Sequence, residues 1–254
     1  MKKIFFCILI FFTYSIYAGD NDLLHEYTLL YTDLLNLRTW GYKSFYNGEL
    51  NRADGYIHIS QGAIEMTEVR FDCALVGEGF FKIRLADDSE AYTRSGNFRV
   101  DQNGTITTSQ GYPLYETICL GETFLPDSFT ITKDHSMYVS TVDTNNTITR
   151  SQLGRLLTYK IPNEYLEHYE DAIYTIKETA DYEEEITFDN YLIQGSLELS
   201  NYALLPVVIR MYYILSLLDE NVIPHIEFKK ELLKIQIENL SNTEEILPFI
   251  HYDY

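Results

Sequence analysis

The sequence predicts an α+β fold, in which a β-rich central domain of short antiparallel strands is flanked by N- and C-terminal helices that pair with each other. Apolar residues recur at steps of three and four over 22–37, and 204–222 is strongly apolar, which are helical patterns. Between them, 61–114 strings short apolar-alternating segments between Gly, Asn and Asp turns, as consecutive strands do. Hydrophobic residues make up 46% of the 254 residues, enough for a sizeable core.

The first 18 residues have the order of a secretory signal peptide. Lys2 and Lys3 precede an apolar run over 4–17, and Ala18 follows as a small residue suited to cleavage. That run of roughly 14 residues is shorter than the ~20 that a membrane-spanning helix needs. We therefore expect a signal peptide at 1–18 that is cleaved near Ala18. The mature chain would be periplasmic, with contact to the membrane only through this peptide before cleavage.

Residues 19–47 are predicted to hold an N-terminal helix and the turn that follows it. Asp20 or Asn21 is a candidate N-cap, and Gly41 marks the end of the helical pattern. The apolar stripe of this helix consists of Leu23, Leu24, Tyr27, Leu30, Tyr31, Leu34 and Leu35.

Residues 48–190 are predicted to form the β-rich domain. Asn103-Gly104 and Ser109-Gln110-Gly111 are turn signals on either side of a short strand. Further strands are expected within 124–142 and 147–161. The stretch 164–189 carries ten acids and one lysine. Such a charge run predicts a solvated acidic loop, with a helix in part of it as the alternative.

Residues 191–224 are predicted to hold the C-terminal helix, followed by an acidic C-terminal extension at 225–254. Ser200 or Asn201 is a candidate N-cap. Pro206 lacks a backbone N–H, so we expect the regular helix to begin near Leu205 or to bend there. Pro224 is expected to end the helix, and the extension has apolar spacing for a second short helix.

Composition and motifs argue against several classes of function. The formal net charge of −19 disfavours nucleic acid and anionic membrane surfaces as partners. The six histidines are scattered without metal-ligand spacing, and no nucleophile motif is present. We therefore predict no catalytic, cofactor-binding or metal-binding residues, no cofactor and no small-molecule substrate, so the chain is not expected to be an enzyme.

Two cysteines, Cys73 and Cys119, lie beyond the signal peptide. An exported chain permits a disulfide between them. Two buried thiols acting as small apolar side chains are the equal alternative.

The central region carries the most specific motifs. Residues 77–81 read GEGFF and residues 92–98 read YTRSGNF. These segments closely resemble the flagellar hook–basal body family, the rod and hook proteins of the bacterial flagellum. The positions that carry the resemblance here are Gly77, Gly79, Phe80, Phe81, Tyr92, Thr93, Arg94, Gly96 and Phe98. Read by themselves, the four aromatic residues are expected to be buried. Arg94 is expected to pair with a carboxylate such as Asp72 or Asp101.

Two further segments resemble the same family. After the first helix, Asn36, Thr39, Gly41 and Lys43 fit the family's turn. Before the last helix, 194–201 reads QGSLELSN, and the matching positions are Gln194, Gly195, Leu197, Glu198, Ser200 and Asn201. The helix itself departs from the family pattern at Pro206-Val207 and over 215–219, and the chain continues for some thirty residues beyond its usual end.

The resemblance implies a structural component of the flagellar basal-body rod, most like a divergent distal rod protein. It implies helical packing with copies of itself or with other rod and hook subunits, for cell motility. The alternative is a periplasmic accessory or binding protein that kept the rod fold but does not polymerise. The secretory signal, the altered helix and the acidic tail favour that alternative, because rod subunits usually leave by the flagellar exporter. A wall-acting enzyme on this scaffold is a third hypothesis, for which no carboxylate site stands out.

Overall fold

The computed structural model describes residues 18–48, 52–121, 123–178, 181–183, 185–218 and 226–241. The predicted signal peptide lies outside them apart from Ala18. Over the described residues the chain combines helices with short antiparallel strands, as an α+β fold requires. The helices are α1 Ala18–Leu35, α2 Leu204–Leu217 and α3 Ile226–Ser241. The first eight strands are β1 Tyr46–Asn47, β2 Arg52–Ala53, β3 Ile64–Met66, β4 Cys73–Val76, β5 Phe81–Arg84, β6 Glu90–Thr93, β7 Arg99–Val100 and β8 Ile106–Thr107. The others are β9 Thr130–Ile131, β10 Ser136–Val142, β11 Ile148–Arg155, β12 Thr158–Lys160, β13 Leu166–Glu170, β14 Ile173–Ile176, β15 Glu185–Thr187, β16 Tyr191–Gln194 and β17 Ser196–Glu198.

The strands form several small sheets. Two of them have more than two strands, with the orders β13-β14-β6-β5 and β11-β10-β9. The strands nearest the C-terminal helices return to the start of the β region, because β16 pairs with β4 and β17 pairs with β3, both antiparallel. The segment that leads into α2 is therefore part of the β-rich domain.

The predicted turns around β8 are present. Gly104 and Gly111 have φ angles of +79° and +96°, which glycine adopts without steric cost. The four aromatic residues of the central motifs are buried, as expected: Phe80, Phe81, Tyr92 and Phe98. The rings of Phe81 and Phe98 meet edge to face at 5.2 Å between centroids.

The prediction of a solvated loop over 164–189 was wrong. This stretch contains β13, β14 and β15, and β14 lies between β13 and β6 in the larger sheet. Apolar residues such as Leu166, Ile173 and Tyr174 are buried, while acids such as Glu167 and Glu170 are exposed. Glu167 and Glu170 therefore occupy exposed positions of a strand, and the acid-rich stretch is part of the β-rich domain.

The predicted helix boundaries need correction at three places. Helix α1 begins at Ala18, so Asp20 and Asn21 lie inside it and do not cap it. The N-cap of α2 is Ala203, with no side-chain cap, instead of Ser200 or Asn201. Helix α2 ends at Leu217, well before Pro224, which lies outside the described residues.

Pro206 is the third residue of α2 and does not interrupt it. The first four N–H groups of a helix have no intrahelical acceptor, so a missing N–H at this position removes no hydrogen bond. The expectation that the regular helix begins near Leu205 agrees with its start at Leu204. None of the helices in the described part of the chain is long and apolar enough to cross a membrane.

Both cysteines are free. Cys73 is fully buried on β4, where burial raises the pKa of its thiol. Cys119 is exposed beside the β7–β8 hairpin, with its Sγ 3.4 Å from the carbonyl oxygen of Asn103. No disulfide joins Cys73 and Cys119. Only Cys73 fits the alternative of a buried small apolar side chain.

Candidate functional site

Three segments that are distant in the sequence meet in the interior of the protein. Lys43 comes from the turn after α1, Arg94 directly follows β6, and Glu198 ends β17. At most 3% of any of these side chains is exposed. We call this cluster and the backbone around it the motif junction, because each charged residue comes from one of the three segments that resemble the rod and hook family.

Arg94 uses all of its N–H donors inside the motif junction. Nε donates to Glu198 Oε2 at 2.7 Å. Nη1 donates to two backbone carbonyls at 2.7 and 2.8 Å. Nη2 donates to Gln61 Oε1 at 3.1 Å and to the carbonyl of Leu75 at 2.8 Å. Because arginine stays charged and its donors form a rigid fork, these bonds hold the guanidinium in one position.

Glu198 joins the two cations. Its Oε1 accepts hydrogen bonds from Lys43 Nζ at 2.5 Å and from the backbone N–H of Gly62 at 2.7 Å. Lys43 Nζ also donates to the carbonyl of Ser60 at 2.7 Å. Burial lowers the pKa of Lys43 to about 8; Arg94 adds to this effect and Glu198 opposes it. One carboxylate thus binds two buried cations, and backbone carbonyls with the side chain of Gln61 accept from their other donors.

The predicted partners of Arg94 were wrong. The carboxylate that it binds is Glu198, 104 residues later in the chain. Asp72 lies near a different cation, with its Oδ1 3.7 Å from Arg99 Nη1. Asp101 instead accepts two backbone N–H groups within its own turn. Both rejected candidates are close to Arg94 in sequence, and the true partner is brought in by the pairing of β17 with β3.

Glycines allow the backbone of the motif junction to approach Arg94. Gly77 and Gly79 have φ angles of +102° and +120°, and their carbonyls are the two that accept from Nη1. At Gly96, an added Cβ would lie 1.8 Å from the carbonyl oxygen of Cys73. At Gly41, an added Cβ would lie 2.4 Å from the backbone carbon of Arg94. A side chain at either of these last two positions would push the converging segments apart.

Other residues of the three segments form hydrogen bonds through their side chains or backbone N–H groups. Asn201 accepts from the N–H of Ser44 at 2.8 Å and donates to the carbonyl of His58 at 2.5 Å. Asn36 Oδ1 accepts from Thr39 Oγ1 at 3.0 Å. The remaining bonds are Gln194 Nε2 to the carbonyl of Arg70 at 2.7 Å, the N–H of Gly195 to the carbonyl of Asp72 at 2.8 Å, the N–H of Tyr202 to Ser200 Oγ at 3.2 Å, and Thr93 Oγ1 to the carbonyl of Ala172 at 2.7 Å. Leu197 is buried.

Asp33 is a buried carboxylate that sequence reasoning missed. It accepts hydrogen bonds from Tyr42 Oη at 2.9 Å and from the backbone N–H groups of Phe45 and Tyr46 at 2.8 and 2.9 Å. Burial raises the pKa of Asp33 to about 7, although these three bonds oppose the shift. A signal existed in the helical spacing, since Asp33 lies three residues after the fully buried Leu30.

An ion pair joins α1 to α2. Arg210 Nε and Nη2 donate to the two carboxylate oxygens of Glu26 at 2.8 and 2.9 Å. Both side chains are largely buried, with 20% and 11% exposed. The two parallel bonds fix the direction of the contact as well as its position.

Helix α2 is apolar on both sides. Its buried residues are Val207, Val208, Met211, Ile214 and Leu215. The opposite side exposes 47% of Ile209, 36% of Tyr212, 49% of Tyr213 and 51% of Leu217. These four residues, which we call the α2 outer face, follow a helical spacing of three and four. An exposed apolar stripe of this kind is typical of a surface that contacts another protein.

The motif junction is built to position chain segments. Lys43, Arg94 and Glu198 are closed to solvent, so a dissolved substrate cannot reach them. Among the described residues, no three His, Cys, Asp or Glu side chains gather where they could hold a metal ion. The site holds three chain segments in a fixed relation. One of them follows α1 and another precedes α2.

Residues 74–139 match a family model described as the flagellar hook protein FlgE/F/G D1 domain. This region includes the GEGFF and YTRSGNF segments. The chain is also similar to a flagellar basal-body rod protein FlgG of Borreliella burgdorferi, with 40% identity over 86 residues, covering 34% of this chain and 32% of that protein. A FlgG of Buchnera aphidicola subsp. Schizaphis graminum is 46% identical over 59 residues, 23% of each chain. A flagellar basal-body rod protein FlgF of Escherichia coli is 29% identical over 121 residues, 46% of each chain.

These alignments span less than half of the length of each relative. Like the family match, all three alignments are with proteins of the flagellar rod or hook. The matched region, which contains the GEGFF and YTRSGNF segments, is thus similar to flagellar rod and hook proteins.

Proposed function

We propose that this chain is a structural subunit of the flagellar basal-body rod and that it acts by packing with other subunits. The rod proteins to which it is similar support this assignment. The partners would be copies of the same chain or other rod and hook subunits. No reaction, cofactor or small-molecule substrate belongs to this function.

The observation that carries the proposal is the motif junction. Lys43, eight residues after α1, is bonded directly to Glu198, six residues before α2. Arg94 ties both to the domain that matches the family. A rod subunit must pass force between its terminal helices and its β-rich domain, and buried charge-assisted bonds at this point supply a stiff connection.

The finer parts of the proposal concern the helices. We infer that α1 and α2 pair, supported by the ion pair between Glu26 and Arg210. In an assembled rod this pair would form the inner layer, and the β-rich domain would form the outer layer. The α2 outer face would then be covered by a neighbouring subunit. An open helical assembly requires contacts of this kind, which join different surfaces of successive subunits.

The proposal has two further parts. The subunit would lie in the distal rod, and a signal peptide at 1–18 would deliver it to the periplasm. The motif order supports the distal position, and the charged start followed by an apolar run supports the export route. The non-polymerising accessory protein is not favoured, because the relatives that the chain matches are named as rod proteins.

The test is recovery of the protein with detergent-extracted hook–basal bodies, judged by immunoblot and immunogold labelling. Wild type is expected along the rod. The double variant Ile209→Ser, Leu217→Ser should fold with a nearly unchanged melting temperature and be lost from the preparation. The matched control Met66→Ser, Val69→Ser removes two other exposed apolar side chains and should be recovered normally. Absence of the wild-type protein from the rod, with a soluble monomer found instead, would overturn the proposal.

A further inference from the structure

Two edge strands of the β-rich domain carry opposite charge. Strand β11 is at one edge of the sheet β11-β10-β9, and its sequence ITRSQLGR contains two arginines and no acid. This is unusual in a chain with 38 acids and 19 lysines and arginines. Strand β13 is at one edge of the sheet β13-β14-β6-β5, and its sequence LEHYE contains two glutamates and no lysine or arginine.

The arginines of β11 are held away from carboxylates within the subunit. Arg150 lies over the ring of Tyr138, 4.8 Å from its centroid, and Arg155 lies over Phe188 at 5.3 Å. Neither forms a salt bridge with another described residue. Both are exposed, as are the side chains around Arg150 on the same strand.

The glutamates of β13 are also exposed to solvent. Glu167 lies in the regular part of the strand, opposite Thr175 of β14. Glu170 follows a bulge in the strand and accepts a hydrogen bond from Tyr112 Oη at 3.0 Å. Glu167 is therefore the residue best placed to meet a cation on an added strand.

We propose that β11 of one copy of this chain pairs edge to edge with β13 of a second copy, with Arg150 close to Glu167. An edge strand presents backbone N–H and C=O groups that can bind another strand. Pairing β11 with β11, or β13 with β13, would oppose like charges across the new pair, which is destabilising. Charge complementarity thus selects the mixed pairing.

This inference rests on the proposed rod function and adds a contact in the β-rich domain. A pairing between two different edges leaves a free β11 at one end and a free β13 at the other, so further copies can be added in the same way. The family match ends at residue 139, inside β10, so β11 lies outside it. The β11 side of the proposed contact therefore lies outside the region that matches the family model.

The test is a charge-swap experiment by sedimentation velocity on the full mature chain, in a Cys119→Ser background that removes the exposed thiol. Arg150→Glu alone and Glu167→Arg alone are each expected to weaken self-association by about tenfold, because an attractive pair becomes a repulsive one. An equimolar mixture of the two variants should regain association close to that of the wild type, since each mixed contact again joins opposite charges. The control Lys234→Glu changes the net charge by the same amount as Arg150→Glu, at an exposed position of α3, and should have no effect.

Self-association that neither single variant weakens, or that the mixture fails to restore, overturns the inference while leaving the rod proposal in place. A wild-type chain that stays monomeric at all concentrations also overturns it. Recovery of that chain with hook–basal bodies would still support the rod proposal, so the two can fail separately.

Discussion

The motif junction, to which Glu198 belongs, and the α2 outer face, which begins eleven residues later, are opposite in character. The motif junction is polar, buried and made of residues that resemble the family motifs. The α2 outer face is apolar and exposed, and it belongs to a helix that departs from the family pattern at other positions. One region uses buried charge to fix the subunit internally, and the other leaves apolar surface for something outside it.

This difference shows where the recognisable motifs act. Arg94 and Glu198 contact each other and the backbone around them, so these motif residues set the internal geometry of the subunit. Contacts between subunits must be sought on surfaces that the motifs do not define, such as the α2 outer face and the β11 edge. If this division holds, variants of the motif junction should lower stability, and variants of the outer surfaces should lower assembly with little loss of stability.

The largest loss of stability is expected from Glu198→Ala. Removing this carboxylate leaves Lys43 and Arg94 buried without their counter-ion, and breaking a buried ion pair from one side costs about 3–5 kcal/mol. Chemical denaturation followed by circular dichroism measures the change in the free energy of unfolding.

The matched control is Glu65→Ala, which removes an exposed glutamate from β3, directly opposite Leu197 on β17. It should change the free energy of unfolding by less than about 0.5 kcal/mol. Equal losses in the two variants would mean that the motif junction contributes no more than an ordinary surface position.

A smaller but clear loss is expected from Gly96→Ala. The new Cβ would lie 1.8 Å from the carbonyl oxygen of Cys73, so the backbone must move, and overpacking of this kind costs about 1–3 kcal/mol. Gly48→Ala is the control, because its Cβ would meet no atom within 4 Å. Thermal unfolding should separate the two, and similar melting temperatures would contradict the close approach at Gly96.

Asp33 predicts a dependence of stability on pH. Burial raises its pKa from 3.8 to about 7, so between these values the folded chain keeps a proton that the unfolded chain has lost. The contribution of Asp33 to the free energy of unfolding is therefore complete below pH 4 and falls as the pH rises to 7, by at most about 1.4 kcal/mol per pH unit.

The variant Asp33→Asn isolates this effect, since an amide does not titrate. Its Nδ2, a donor, would face the N–H of Tyr46, which is also a donor. This lowers the free energy of unfolding by about 1–3 kcal/mol at every pH. The difference between wild type and variant should therefore shrink from pH 4 to pH 7 in urea titrations. Parallel stability curves over this range would contradict the raised pKa.

Local patterns predicted the elements better than they predicted the contacts between them. The apolar spacing before residue 37 and after residue 203 identified α1 and α2, because helical periodicity is a local property. The strands β13 and β14 were missed because the count of acids over 164–189 hid the alternation of Leu166 and Ile173 with exposed glutamates. A residue count discards the order of residues, and the order is what specifies a strand.

The sequence indicated which residues belong to the motif junction but not that they contact each other. Lys43, Arg94 and Glu198 were singled out from their motifs, but nothing local indicates that they meet, because 155 residues separate the outer two. The search for a partner of Arg94 among nearby acids therefore failed. Glu26 and Asp33 were overlooked since they interrupt an apolar stripe, although buried acids on such a stripe signal partners elsewhere in the chain.

The smallest expected effect concerns the ion pair between Glu26 and Arg210, which joins α1 to α2. Because both side chains are still partly exposed, their interaction energy in a double-mutant cycle with Glu26→Gln and Arg210→Met should be about 0.5–1 kcal/mol. The cycle for Arg94→Met and Glu198→Gln should give a clearly larger value. The Glu26–Arg210 energy should also fall more in high salt than that of the motif junction, since its charges lie closer to solvent and are screened more. If this pair proved as strong and as salt-independent as the motif junction, the helices would be fixed by the subunit itself. Their relative position would then not depend on the neighbouring subunit that we expect on the α2 outer face.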